Sequence, residues 1–285
     1  GHCRTPFAGR SLVNVSAMSF GAISRPAVLA LSHGAAVAGC WLDTGEGGLS
    51  PYHLEGGCDL IFQIGTAKYG VRDEHGLLSD QRLREVAGQA SVRAFEIKLS
   101  QGAKPGKGGV LLGNKVTAEI AQIRGIPEGR DSLSPNRHPD IANVDELLDR
   151  IQHVREVTGK PVGVKTAIGG DRFMRELTAA IGRRGSQSAP DFLTIDGGEG
   201  GSGAAPQALA DHMALSIDEA LPLVADALFA SGLKDRIRLI AAGQLVTPAR
   251  VAWALATGAD FVNTARGFMF SLGCIQALRC HSNTC

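Results

Sequence analysis

The sequence has no long apolar stretch and no excess of either charge. No run of 18 apolar residues occurs, so nothing in this segment is long enough to cross a bilayer as a helix. The 29 basic and 28 acidic residues leave a formal charge of +1, which gives no electrostatic reason to expect binding to nucleic acid. A secretory signal is also missing, because the chain opens with Gly1-His2-Cys3-Arg4 and not with a charged region followed by an apolar one.

The ends of the sequence are abrupt, at Gly1 and at Cys285 inside a cysteine-rich stretch. We therefore expect residues 1–285 to be a single domain cut from a longer protein, with a cytoplasmic location. A membrane anchor or further domains outside this segment stay open. Hydrophobic residues make up 44% and charged residues 20% of the chain, which is typical of a folded globular domain.

Eight short β-rich runs alternate with helical patterns. Several are continuously apolar, as expected for parallel strands that are covered on both sides. The runs are 12–18, 40–43, 60–64, 95–99, 162–166, 192–195, 237–241 and 261–263. This alternation predicts a single-domain (β/α)8 barrel, with a doubly wound open sheet as the alternative.

The connection after the fourth run is unusually long. Residues 100–140 are rich in glycine, proline, lysine and arginine, and only a short helix is predicted in them, near 117–124. Long loops in compact domains are usually functional or disordered. In a barrel this loop would lie over the catalytic face, so we expect substrate contacts there.

Glycine is the residue in excess, with 37 in the chain, and glycines follow the last three runs. The sixth run leads into Asp196-Gly197-Gly198, the seventh into Ala242-Gly243, and the eighth into Ala265-Arg266. Barrel enzymes often bind phosphate at such turns, where backbone N–H groups are accessible, and Arg266 adds positive charge. These turns predict a phosphate-bearing cofactor; glycines that serve only tight turns are the alternative at any one of them.

Four motifs together resemble the FMN-binding synthase domain of glutamate synthases. They are Met18-Ser19-Phe20-Gly21, Thr44-Gly45-Glu46-Gly47-Gly48, the stretch 97–106 (IKLSQGAKPG), and Cys274, Cys280 and Cys285 at spacings of six and five. The resemblance runs from about Ser11 to Cys285. Two further stretches, 57–61 and 259–263, are most similar to stand-alone members of the FMN-binding glutamate synthase family, which have no fused glutaminase domain.

The resemblance implies an oxidoreductase in which reduced FMN delivers a hydride to 2-iminoglutarate, formed from 2-oxoglutarate and ammonia, to give L-glutamate. The flavin ring would lie along residues 16–19, and Lys165 would face its N1–C2=O edge. The cofactor-binding residues implied are Ser16, Ala17, Met18, Ser19, Lys165, Asp196, Gly197, Gly198, Gly243, Ala265 and Arg266.

A dianionic substrate needs cations, because burying unpaired carboxylates is costly. The resemblance assigns substrate binding to the group of Lys98, Gln101 and Lys104 and, more weakly, to Lys115, for which a solvated surface position is the alternative. Lys98 and Glu46 are the expected catalytic residues. Glu46 would either polarise ammonia or protonate the substrate, and the alternative is a solvated loop carboxylate.

By the same resemblance, Cys274, Cys280 and Cys285 would ligate a [3Fe-4S] cluster, since cysteine thiolates hold such centres. The spacing is not that of a zinc finger. Cys274 and Cys280 are six residues apart, so a helix must end between them if both are to reach one cluster. Structural thiols are the alternative, and Cys3, Cys40 and Cys58 are expected to be buried or free thiols.

The implied partners are an electron donor, either ferredoxin or an NADPH-oxidising flavoprotein, and a glutaminase that supplies ammonia. Two related functions stay open: a synthase of an N-substituted glutamate, and an FMN-binding electron-transfer or assembly subunit. A flavin barrel that oxidises a 2-hydroxy acid would ordinarily use a histidine base at the rim, and none of the eight histidines ends a predicted strand.

Overall fold

The computed structural model describes residues 3–206 and 208–277. The strands in these ranges are β1 (Val13–Val15), β2 (Trp41–Asp43), β3 (Asp59–Ile64), β4 (Val92–Lys98), β5 (Val110–Leu111), β6 (Ser132–Leu133), β7 (Val162–Thr166), β8 (Phe192–Asp196), β9 (Arg238–Ala242) and β10 (Phe261–Thr264). All except β5 and β6 form one closed parallel barrel, in which β10 pairs with β1. The predicted (β/α)8 barrel is confirmed, and the open-sheet alternative is wrong.

Each of the eight predicted runs overlaps one barrel strand. The first run, 12–18, extends three residues too far, because β1 ends at Val15. Beyond it the backbone turns at Ser19, whose carbonyl accepts hydrogen bonds from Ala22 and Ile23 at 3.0 Å each. The second half of this run is therefore a loop at the carboxyl end of the barrel.

The helices in the described ranges are α1 (Arg25–Ala38), α2 (Pro51–Glu55), α3 (Asp80–Ala87), α4 (Ala118–Arg124), α5 (Val144–Thr158), α6 (Arg172–Arg184), α7 (Ile217–Ala230), α8 (Pro248–Ala256) and α9 (Arg266–Ser271). Local signals explain their limits: Asn143 caps α5 by accepting from Glu146, and Gly159 ends it in the left-handed conformation. None of these helices has the length and apolar character that crossing a bilayer requires.

The long loop after β4 has more structure than its composition indicates. The predicted short helix is α4, capped by the Thr117 side chain. The antiparallel pair β5 and β6 was not predicted, because two residues per strand leave no readable alternation. The returning arm of the loop is tied to the barrel: Thr66 donates to the Pro135 carbonyl at 2.7 Å, and the His138 ring lies 2.9 Å from the Lys98 carbonyl.

The barrel interior is built in layers. The lower layer is apolar and contains the buried side chains of Trp41, Ile61, Ala94, Phe192 and Ile240. Residues two positions further along a strand face the same way; on β2, β3, β4 and β8 they are polar, whereas on β9 the residue is Ala242. The polar layer comprises Asn14, Asp43, Gln63, Glu96, Thr194 and Asn263, all at most 2% exposed. It forms the floor of the site above it.

His53 of α2 is a buried histidine away from this floor. Its Nδ1 accepts from the Ser50 backbone N–H at 3.1 Å, and its Nε2 has no hydrogen-bond partner among the described residues. Burial lowers the pKa of His53 from about 6.5 to about 4. Because the unfolded chain takes up this proton first, the contribution to stability is present above pH 6.5 and is lost as the pH falls through about 4.

We expect His53→Gln to remove part of the acid sensitivity of the fold. Between pH 7 and pH 4.5, its unfolding free energy should fall by about 2 kcal/mol less than that of the wild type. Urea unfolding at the two pH values measures this difference. The exposed His33 provides the matched control, since His33→Gln should lose as much stability as the wild type. Equal losses for all three proteins would contradict the assignment.

Candidate active site at the carboxyl ends of the strands

Lys98, the last residue of β4, is the centre of a charged cluster. Its Nζ donates to Gln101 Oε1 at 2.8 Å and lies 3.2 Å from Glu46 Oε1. Lys104, from the following loop, is buried, and its charge also acts on Glu46. The structure thus brings together Glu46, Lys98, Gln101 and Lys104, whose convergence could not be judged from the sequence.

Glu46 is held as an anion by these neighbours. Burial by itself would raise the pKa of Glu46, but the charges of Lys98, Lys104 and Arg124 and the Lys98 hydrogen bond outweigh it, so this pKa is below its usual value. Burial and the Lys98 charge lower the pKa of Lys104, partly offset by Glu46. The cluster is an ionised carboxylate next to several cations.

Arg124, at the end of α4, belongs to this cluster and was missed in the sequence. It is buried, its Nη2 donates to the Phe20 carbonyl at 3.3 Å, and its guanidinium lies 5.1 Å from the Tyr69 ring. Its Nε has no hydrogen-bond partner among the described residues. An arginine in the last turn of a helix usually indicates a solvated cation that complements the helix dipole, so no local signal marks it.

A cleft opens beside Lys98 under the long loop. Its walls include Glu46, Thr66, Gln101, Lys104, Lys107 and Asn136. Lys115 lies in a short 3-10 helix, Gly113–Lys115, and is not one of the residues that line this cleft. The substrate contact of Lys115 stays a prediction.

Residues 16–19 form the loop that follows β1. Gly45 packs directly against this loop, since a Cβ at Gly45 would lie 2.6 Å from the Ser19 backbone nitrogen. The turn that carries Glu46 and the loop that was predicted to contact a flavin ring are therefore neighbours. Ser16 is buried, whereas Ala17, Met18 and Ser19 are half-buried.

Lys165 of β7 lies in register with Lys98 of β4 and with Thr194 of β8. Burial opposes its charge, but the carboxylates of Asp196, Glu96, Asp43 and Glu46 outweigh that effect and raise the pKa of Lys165. It is a buried ammonium above the polar floor, and its acidic neighbours stabilise its charge. A negatively charged partner at this point would meet a fixed cation.

The Gly197–Gly198 turn is tightly packed, and its backbone donors are in use. Gly197 N–H donates to the Ala242 carbonyl at 2.9 Å and Gly198 N–H to the Leu215 carbonyl at 2.8 Å. At the start of α7, Ile217 N–H donates to the Glu199 carboxylate at 3.1 and 3.2 Å. For Gly197 or Gly198 to bind a phosphate through these N–H groups, the hydrogen bonds to the Ala242 and Leu215 carbonyls would have to break first.

The turns after β9 and β10 make up the rest of the predicted phosphate site. Gly243 has φ +128°, a conformation open to glycine, and packs against Gly197. Ala265 precedes α9, and Arg266 is its first residue. The Arg266 guanidinium donates to the Ser202 hydroxyl. These two turns place a guanidinium and glycine backbone at the same edge of the barrel.

Of the predicted cluster ligands, only Cys274 lies in the described residues; Cys280 and Cys285 lie outside them. Cys274 follows α9, which ends at Ser271, so the helix stops before this cysteine and not after it. Within residues 3–206 and 208–277, no group of three or more His, Cys, Asp or Glu side chains is arranged to hold a metal ion. Cys3, Cys40 and Cys58 are free thiols, as expected.

Residues 2–285 match the family described as "Conserved region in glutamate synthase". The chain belongs to the glutamate synthase family. Relatives in this family include the glutamate synthase large subunit-like protein YerD of Bacillus subtilis, 48% identical over 99% of this chain and 54% of the relative. The archaeal glutamate synthase [NADPH] of Methanocaldococcus jannaschii is 36% identical over 96% of this chain and 50% of its own length. The chain thus spans about half the length of these relatives.

Solved structures with little sequence similarity share the barrel of this family member. A flavocytochrome b2 variant with benzoylformate superimposes with a TM-score of 0.59 at 13% identity, over 95% of this chain and 61% of that one. Deoxyribose phosphate aldolase from Aeropyrum pernix gives 0.52 at 12% identity, over 94% and 90%. Because an aldolase and a flavoenzyme match about equally well, these likenesses establish the fold alone.

Proposed function

We propose that this domain reduces 2-iminoglutarate, formed from 2-oxoglutarate and ammonia, to L-glutamate with reduced FMN as the hydride source. The observation that carries the proposal is the cluster in which Lys98, Lys104 and Arg124 surround the ionised Glu46. Membership of the glutamate synthase family supports the substrate class. A dicarboxylate fits such a cluster because charge-assisted hydrogen bonds offset the loss of its hydration.

The residues present fit FMN. Lys165 supplies a buried cation where a reduced, anionic flavin ring would need one. Gln63 Oε1 in the polar floor has no partner among the described residues and would accept a hydrogen bond from a ring N–H. Gly243, Ala265 and Arg266 would hold the phosphate, with Ser16 to Ser19 along the ring. When bound, FMN would supply the hydride.

The charged side chains of this chain would perform the remaining steps. Lys98 and Lys104 would bind and orient the substrate carboxylates, with Gln101 as a neutral donor. Glu46 is ionised, so of its two predicted roles the polarisation of ammonia, by accepting a hydrogen bond from it, agrees with the low pKa of this carboxyl. The loop after β4 would exclude water from the cleft.

The electrons and the ammonia would come from other parts of the protein or from partners. The name of the archaeal relative, which includes NADPH, supports an NADPH-oxidising flavoprotein as the donor, with ferredoxin as the other candidate. A separate glutaminase would supply ammonia. Both proposals concern a whole protein of which this chain spans about half.

The test is a titration of the photoreduced, FMN-loaded protein. We expect flavin reoxidation only when 2-oxoglutarate and ammonium are both present, because neither alone forms the imine that accepts hydride. Reoxidation that is faster with an alkylamine would identify an N-substituted glutamate as the product. Reoxidation by neither mixture would contradict the synthase and favour an electron-transfer or assembly subunit. A preparation that does not bind FMN would contradict the cofactor.

A further inference from the structure

The polar floor of the barrel contains two carboxyl groups, Asp43 on β2 and Glu96 on β4. They are 1% and 0% exposed, respectively, and their carboxyl groups lie close enough together to interact directly. Burying two ionised carboxylates side by side is costly, because each opposes the ionisation of the other. A single proton held by the pair removes one of the two buried charges.

The surrounding donors indicate which of the two groups carries it. Glu96 Oε1 accepts from Gln63 Nε2 at 2.6 Å, and Glu96 Oε2 accepts from Thr194 Oγ1 at 2.6 Å. Both distances are short, as is usual when the acceptor is charged. Asp43 Oδ1 accepts from the Gly45 N–H at 2.8 Å. Glu96 is thus solvated by donors on both oxygens as an anion would be, whereas Asp43 has an oxygen left to carry a proton.

The charges around Asp43 agree with this assignment. Burial raises the pKa of Asp43 well above its usual range, the Glu96 carboxylate adds to the effect, and Lys165 and the Gly45 N–H oppose it. Lys165 is itself balanced by Asp196, Glu96 and Glu46. The net direction is upward because burial, together with the Glu96 carboxylate, outweighs the opposing effects of Lys165 and the Gly45 N–H.

We propose that Asp43 is held as the neutral carboxylic acid, donating a hydrogen bond to Glu96 while accepting one from Gly45, and that it thereby positions the turn that carries Glu46.

The turn that carries Gly45 and Glu46 is tightly packed on both sides. Gly45 has φ +65°, and a Cβ there would lie 2.6 Å from the Ser19 nitrogen. On the other side, a Cβ at Gly65 would lie 2.6 Å from the Glu46 Cβ. From this position between Gly45 and Gly65, the Glu46 carboxylate lies 3.2 Å from Lys98 Nζ. Asp43 therefore acts on Glu46 through the Gly45 hydrogen bond, as a positioning residue.

The first measurement is infrared spectroscopy at neutral pH in D2O. The carbonyl stretching band of a protonated carboxylic acid should be present in the wild type, absent in Asp43→Asn and retained in Glu46→Gln, which removes an ionised carboxylate. A wild type without the band, or a band that survives in Asp43→Asn, overturns the proposal. This measurement needs neither cofactor nor substrate, so it tests the protonation of Asp43 whether or not the proposed reaction is correct.

Stability against pH gives a second, independent reading. An acid whose pKa is raised on folding contributes stability that is complete below its unfolded value of about 3.9 and is lost as the pH rises towards the folded value. From pH 5 to pH 8 the melting temperature of the wild type should therefore fall relative to that of Asp43→Asn, whose amide does not titrate. Parallel curves would overturn the neutral-acid assignment.

The positioning role rests on the proposed function and is tested by kinetics. Asparagine can donate to Glu96 and accept from Gly45, as the neutral acid does, whereas alanine can do neither. We expect Asp43→Ala to lower kcat at least tenfold and Asp43→Asn to restore it to within about threefold. An asparagine variant as impaired as the alanine variant overturns the role as stated, while failure of the wild type to turn over overturns only the proposed reaction.

Discussion

Replacing Lys98 by methionine is expected to lower kcat/KM for 2-oxoglutarate by about three orders of magnitude. The change removes the cation that lies 3.2 Å from Glu46 and donates to Gln101 at 2.8 Å. Truncating one member of a desolvated charge pair costs about 2–5 kcal/mol, and about 4 kcal/mol corresponds to a thousandfold change in rate. Methionine keeps the length of the apolar stem, so the effect is one of charge.

The kinetic test of this prediction has a matched control in the same loop. Lys107 also lines the cleft but is exposed, so Lys107→Met should change kcat/KM by less than about threefold. In Lys98→Met the pKa of Glu46 should rise, because the cation that lowers it most is gone. The acid limb of the pH profile should therefore move to higher pH. A Lys98 variant with more than a tenth of wild-type kcat/KM would show that this cluster does not bind the substrate.

Gly102→Ala is expected to push the loop after β4 away from the turn after β8. This should weaken both the fold and the binding of FMN. A Cβ at Gly102 would lie 1.5 Å from the Gly197 carbonyl oxygen, and both groups are backbone, so no side-chain rotation relieves the overlap. Moving the loop would also break the bonds from Gly102 N–H to Asp196 and from Ala103 N–H to Gly200, both 2.8 Å. Overpacking and the lost hydrogen bonds together amount to about 3 kcal/mol.

Urea unfolding and a fluorescence titration with FMN measure the two effects of Gly102→Ala. We expect a loss of about 3 kcal/mol in unfolding free energy and a rise in the Kd of FMN of at least tenfold. Gly170, in the loop after β7, is the matched control because a Cβ there would have no neighbour within 4 Å. If Gly102→Ala and Gly170→Ala change the unfolding free energy and the Kd of FMN by equal amounts, the contact between Gly102 and Gly197 does not support the fold or the FMN site.

The polar floor illustrates why part of the site could not be predicted. Glu96 stands between Phe95 and Ile97, and Gln63 between Phe62 and Ile64, so each sits in a run that predicts only a buried strand. Whether such a side chain faces the helices or the barrel interior depends on closure of the sheet. The pairing of Asp43 with Glu96 therefore appears only when β2, β3 and β4 are assembled.

Arg124 and Glu199 were missed for a similar reason. Arg124 reads as a helix-end cation, yet the loop folds back and buries it near Glu46. Glu199 stands in a glycine-rich turn that predicts an anion site, yet its own carboxylate accepts the first N–H of α7. The partner of Arg124 is Glu46 and that of Glu199 is the Ile217 N–H, and both are distant in the chain.

The sequence by itself determined the barrel and the approximate positions of its eight strands, and it predicts the rim as the place of the chemistry. Those features depend on local periodicity, caps and glycine turns, which act over a few residues. Only the tertiary structure decided that Lys98, Lys104 and Arg124 surround Glu46, and that Asp43 and Glu96 face each other. The reason is physical: charges interact through space and gain strength from burial, and neither distance nor burial is encoded in any short stretch of chain.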